Sequence, residues 1–146
     1  MVIKMFIVVN PVSANGLTAK EWPEYEALLR EAGYNFEVAY TEYPNHGTEI
    51  TRQALKKGYK TIVSVGGDGT MNEVANGFFE NGALIDEDAR LVVFSRGTGC
   101  DFIRTLGINK GIDDLLSVLK RNIVKKIDVG VSEFVGYDGM KKIRYF

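Results

Sequence analysis

The stretch VSVGGDGTMNEVANG, Val63 to Gly77, decides how the rest of the chain reads. It opens on TIVSV (Thr61–Val65), a short, β-branched and nearly all apolar run, the pattern of a central parallel strand covered on both faces. Gly66, Gly67 and Gly69 then surround Asp68. Glycines there permit positive φ and bare the backbone N–H groups. Thr70 and Glu73 have the Thr-x-x-Glu spacing of a capping box, so a helix is expected to start here and to run over Met71–Glu80. A helix N-terminus behind a glycine-rich turn attracts phosphate. Asp68 is the anomaly, an anion placed where an anion should bind.

No Lys or Arg lies between Thr61 and Arg90, which excludes the Gly-Lys-Ser/Thr loop of Walker type. The dinucleotide fingerprint fails as well, since its third glycine would fall on Asn72. A phosphate loop whose glycines and helix start supply the donors can tolerate a carboxylate that meets a hydroxyl, or a metal held by the phosphates. Asp68 is therefore the candidate catalytic residue.

Outward from this stretch, apolar runs alternate with amphipathic ones. Strands are expected at Val2–Asn10, Asn35–Thr41, Thr61–Val65 and Arg90–Ser95, and helices at Leu17–Ala32, Thr48–Lys57, Asp101–Leu106 and Ile112–Arg121. IVKKIDVGVSEFV reads as extended, and Asp138-Gly139 signals a hairpin turn. This rhythm predicts a three-layer, Rossmann-like α/β domain, its mostly parallel sheet flanked by helices through right-handed crossovers. The expected division is an α/β domain over 1–131 and, over 132–146, an extended hairpin leading into a β-rich second domain. KKIRYF stops in mid-strand, which suggests a fragment of a longer protein.

The chain has 146 residues, 45% hydrophobic and 25% charged, as expected of an ordinary globular domain with a real core. The net charge of -1 argues against a nucleic-acid binder. Lys120 to Phe146 holds seven Lys/Arg against three Asp/Glu, read as a solvated face. One cysteine, Cys100, excludes an intrachain disulfide and any Cys-based metal site. No apolar run approaches the roughly 18 residues of a transmembrane span.

Ligands of open α/β sheets sit at the carboxyl ends of the strands. The loops expected there are NPVSANG (Asn10–Gly16), TEYPNHG (Thr41–Gly47), GGDGT (Gly66–Thr70) and SRGTGCD (Ser95–Asp101). In the last, Thr98-x-x-Asp101 again has capping-box spacing. His46 has no catalytic partners in sequence and reads as a loop or cap residue. Arg96 reads as a surface residue, or else as positive charge beside a phosphate.

In order, NPVSANG, VSVGGDGTMNEVANG and GTGCDFIRTLGI resemble the diacylglycerol kinase catalytic-domain family, which includes bacterial diacylglycerol kinase-like enzymes and sphingosine kinases. GGDGT alone is shared with NAD kinases and, loosely, phosphofructokinases. Asn72-Glu73-Val74-x-Asn76-Gly77 and Gly97 to Phe102 favour the lipid kinases.

The resemblance implies a phosphofructokinase/NAD kinase-like fold and an ATP-dependent lipid kinase, of which this chain is the nucleotide-binding part. It implies ATP contacts at Asn10, Ser13, Thr41, Gly66, Gly67, Asp68, Gly69, Thr70, Asn72 and Thr98, with Asp68 acting directly or through Mg²⁺. It implies a lipid substrate and a cytoplasmic protein peripheral to the membrane. The alternatives are a soluble-substrate kinase of NAD kinase type and a non-catalytic nucleotide-binding domain. Homo-oligomers through an exposed KIRYF edge are a further expectation. Two departures stand out: Cys100 replaces the family's usual Asn, and Ser95–Arg96 replace a frequent Pro-x.

Overall fold

The computed structural model describes residues 4–146. Four parallel strands form one sheet: β1 (Lys4–Val9), β2 (Asn35–Tyr40), β3 (Thr61–Gly66) and β6 (Arg90–Ser95), in the spatial order β2-β1-β3-β6. Met1 to Ile3, where the first strand was expected to begin, lie outside the described residues.

Alternation along β1 sends Met5, Ile7 and Val9 to one face and Phe6 and Val8 to the other. On the first face α1 (Leu17–Glu31) and α5 (Ile112–Arg121) add Trp22, Leu29 and Leu115 to a core with Val63, Val65 and Phe94. On the second, α2 (His46–Lys56) and α3 (Asp68–Gly77) bring Ile50, Ala54, Leu55, Val74 and Phe78 against Ile62. Both faces of β3 are thus covered, which is why its sequence is nearly all apolar, with Ser64 as a buried polar exception. Where α2 meets α3 the contact needs a glycine, because a Cβ on Gly77 would lie 2.5 Å from Thr51 Cβ and 2.8 Å from the Thr48 carbonyl oxygen.

The helix after the glycine loop starts and ends three residues earlier than the expected Met71–Glu80. Phe79–Glu80 (β4) and Ala83–Leu84 (β5) form a small antiparallel hairpin instead. Its turn is Asn81-Gly82, with φ of 52° and 81°. Asn-Gly is the strongest short hairpin signal in a sequence, and the helical pattern upstream masked it.

Of the long stretch read as extended, Val131–Val135 (β7) is a strand and residues 122–130 have no regular structure. β7 pairs antiparallel with β8 (Lys141–Tyr145). Gly139, at φ 74°, donates to the Gly136 carbonyl, and Gly136 to the Met140 carbonyl, giving a turn wider than two residues. Residues 120–129 are exposed, Ile123, Val124, Ile127 and Val129 among them as well as the basic side chains.

Candidate functional site

The strand order places the switch point of the sheet between β1 and β3. The chain leaves β1 for β2 on one side, then crosses to β3 on the other. Loops diverge there and leave a crevice at the carboxyl ends. A cleft of about 380 Å³ opens at this point, lined by Asn10 and Val12 to Asn15 after β1, by Gly67, Gly69, Thr70 and Glu73 after β3, and by Gly97 and Thr98 after β6.

The first loop is braced from within. Ser13 Oγ donates to the Asn10 carbonyl at 2.8 Å and shares a 2.6 Å hydrogen bond with Thr18 Oγ1. Asn10 Oδ1 accepts from Val12 N, and Asn10 Nδ2 donates to Thr70 Oγ1 at 3.0 Å, tying the first loop to the second. Ala14 and Asn15 line the cleft in left-handed conformations, with φ of 52° and 56°. Such backbone costs on the order of 1–3 kcal/mol per residue and concentrates at ligand sites.

The second and third loops meet backbone to backbone. A Cβ on Gly97 would sit 2.8 Å from Gly67 Cα, and one on Gly66 would run into Thr70 Oγ1. Gly97→Ala is therefore expected to separate the two loops. Thermal unfolding should show a stability loss of about 1–3 kcal/mol from overpacking. An unchanged midpoint would show that the loops do not need this approach.

Asp68 is the first residue of α3, with Gly67 at the N-cap. Its Oδ2 accepts the Asp101 N–H at 3.2 Å, at the start of α4 (Asp101–Leu106), so the carboxylate spans the second and third loops.

Neither expected capping box forms, since no side chain caps α3 or α4. Because α3 begins at Asp68, Thr70 already lies inside the helix, and Glu73 is too far along to reach back to its N-cap. Glu73 crosses instead to the start of α2, where Oε1 accepts Asn45 N at 2.9 Å and Oε2 accepts Gly47 N at 3.1 Å. A carboxylate at a helix N-terminus is favoured by the helix dipole. In the third loop the N-cap is Cys100, left-handed at φ 56° and buried, its Sγ donating to the Gly97 carbonyl. Asn, the family's usual residue, enters that conformation more readily than Cys.

Arg96 takes neither of its two expected places. Its side chain is 13% exposed and ion-paired with Glu21. Its guanidinium faces the rings of Tyr25 and Phe94, on the α1 side of the sheet. Burial pushes its pKa below the usual arginine value. His46 is the first residue of α2, behind the N-cap Asn45; it caps no helix N–H, and instead its Nδ1 accepts Glu42 N from the preceding loop while its ring stacks on Tyr43.

Of the sequence candidates, Asn10, Ser13, Gly67, Gly69, Thr70 and Thr98 line the cleft. Gly66 ends β3 beneath it, and Asp68 bridges its second and third loops. Thr41 continues beside the end of β1, donating its N–H to the Val9 carbonyl. The Asn72 amide turns away to β8, where Nδ2 donates to the Tyr145 carbonyl and Oδ1 accepts from Arg144. Sequence reasoning missed Lys110, whose Nζ donates to the Gly97 carbonyl at 3.0 Å. It lies 13 residues downstream and no local pattern points to it.

The family described as Diacylglycerol kinase catalytic domain matches residues 4–132. Diacylglycerol kinases of Staphylococcus aureus strains JH9 and Newman are each 34% identical over 124 residues, covering 85% of this chain and 38% of theirs. The crystal structure of a diacylglycerol kinase from Bacillus anthracis str. Sterne superposes with a TM-score of 0.72 at 25% identity, covering 95% of this chain and 45% of that one. The chain thus spans less than half the length of these relatives. With its parallel sheet, its glycine loop and a family match over nearly all of its length, the chain belongs to the diacylglycerol kinase catalytic domain family.

Proposed function

We propose that this chain is the ATP-binding part of a lipid kinase that transfers the γ-phosphoryl group of ATP to a lipid hydroxyl. The observation that carries this reading is the meeting of three carboxyl-end loops at one polar cleft, with the N-terminus of α3 and Asp68 at its rim.

The amides of the Gly67–Thr70 turn and the α3 dipole would hold the phosphates, and Lys110 at the Gly97 carbonyl would add the positive charge that the glycine loop lacks. Asn10, Ser13, Gly66, Gly67, Gly69, Thr70 and Thr98 form or support the walls, and Thr41 flanks them. Among the described residues no three acidic, His or Cys groups gather into a metal cage. That fits Mg²⁺ arriving on the ATP phosphates, with Asp68 as its one protein carboxylate, because Mg²⁺ is commonly held by one or two carboxylates plus phosphate oxygens. The ion would neutralise charge on the transferring group. In the transfer, the acceptor oxygen bonds to phosphorus as the bond to the β,γ-bridging oxygen breaks. ADP leaves and the hydroxyl proton is lost, with Asp68 placed to take it or to order the acceptor.

On this reading the protein is cytoplasmic and meets its lipid from the membrane surface; no described helix is long and apolar enough to cross a membrane. The test is a radiolabelled transfer assay on the gene product that carries this chain. Label is expected in the chloroform-extractable lipid, and label appearing only with NAD as acceptor would overturn the reading. The 146-residue chain by itself is expected to bind ATP without turning lipid over.

A further inference from the structure

Asn72 and Asn76 of α3 turn away from the nucleotide cleft and meet the β7–β8 hairpin. In the β7–β8 ladder Gly130 and Phe146 exchange both backbone hydrogen bonds, at 2.8 and 3.0 Å. Tyr145 is next in register, opposite Val131, so its own N–H and C=O point out of the hairpin. An edge of that kind normally needs another strand.

Here a side chain takes the strand's place. Asn76 Oδ1 accepts Tyr145 N at 2.9 Å and Asn76 Nδ2 donates to the Tyr145 carbonyl at 2.9 Å. Asn76 is 7% exposed, and with Tyr145 it lines a cleft of about 280 Å³. One turn earlier, Asn72 Nδ2 donates to the same carbonyl at 3.1 Å. Asn72 Oδ1 receives Arg144 through Nε and Nη2, while Arg144 Nη1 donates to Asn45 Oδ1 at 2.9 Å. The Tyr145 ring stacks on Phe79 at 3.8 Å. The strands otherwise stand open, with Val131, Phe134, Val135 and Ile143 exposed. The hairpin's seat on the domain is thus directional and polar, at two positions four apart on one helix face.

We propose that Asn72 and Asn76 are positioning residues: they fix β8 against the helix that begins at Asp68, and so set the β-rich part of the enzyme into which this hairpin is expected to lead, relative to the phosphates. The geometry of the joint stands by itself, and its link to turnover rests on the kinase reading above. Asn72 on this view serves transfer through β8, with no direct nucleotide contact.

Two measurements test this. In the 146-residue chain, Asn76→Leu should speed exchange of the Tyr145 amide proton tenfold or more, while amides of β1 and β3 keep their protection. Unchanged Tyr145 exchange would show that the joint does not hold β8. In the gene product that carries this chain, Asn76→Leu and the milder Asn72→Ala should lower kcat for lipid phosphorylation tenfold or more and leave the ATP dissociation constant within twofold. Weakened ATP binding with kcat intact would overturn the assignment and return these residues to the nucleotide site. Should Asn76→Leu fail to fold, Asn76→Ala carries the exchange readout and Asn72→Ala the kinetic one. If the unaltered gene product phosphorylates no lipid, the kinase reading falls, and the exchange result still decides the joint.

Discussion

Asp68→Asn is expected to lower kcat for phosphoryl transfer about 10²–10⁴-fold, the range lost with a positioned acid–base group. That corresponds to about 3–5 kcal/mol of transition-state stabilisation. The substitution keeps the side chain's shape and an oxygen that can still accept the Asp101 amide, so the bridge between the second and third loops survives. ATP affinity should stay within a few-fold and the unfolding midpoint within about 2 °C, a surface-sized change. The assay is steady-state transfer to lipid by the gene product that carries this chain, with calorimetric titration of ATP alongside. Turnover unchanged by Asp68→Asn would remove Asp68 from the chemistry and leave it as a tie between loops.

Trp22→Ala is expected to cost about 3–5 kcal/mol, a large part of the 5–15 kcal/mol that holds a domain of this size together. Trp22 is 1% exposed and is among the largest fully buried side chains of the domain. It anchors α1 on the sheet face built from Met5, Ile7, Val9 and Val65, the same strands whose ends carry the first and second loops. Removing the indole leaves a cavity that close-packed β1 and β3 cannot collapse to fill. Thermal unfolding should fall by roughly 10 °C or more. A loss under about 1 kcal/mol would mean that α1 is held by other contacts.

Much of the fold was legible because its signals are local. Asp101–Leu106 and Ile112–Arg121 have the expected bounds, and the four sheet strands have their expected bounds to within a residue or two where described. Period-2 alternation and continuous apolar runs are written into consecutive residues. Errors came where two local signals competed. The helical pattern after Thr70 runs up to the Asn81-Gly82 turn, and Phe79–Glu80 leave the helix to form a hairpin strand. The start of α3 was misplaced for a similar reason. Thr70 and Glu73 have the spacing of a cap, but Gly67 begins the helix three residues earlier and sends the glutamate to a different one.

By itself, the sequence determined the α/β layering, the position of the glycine turn between a buried strand and a helix, and the absence of a lysine from that turn. Each follows from the properties of neighbouring residues. Only the tertiary structure decided which loops share a cleft, since that depends on the strand order β2-β1-β3-β6 and the switch point it creates. It alone brought Lys110 to Gly97, Asp68 to Asp101, Arg96 into a pocket with Glu21, and Asn76 to the edge of a strand 69 residues away. A side chain's partner is set by geometry that the chain reaches after folding, and spacing along the sequence does not encode it.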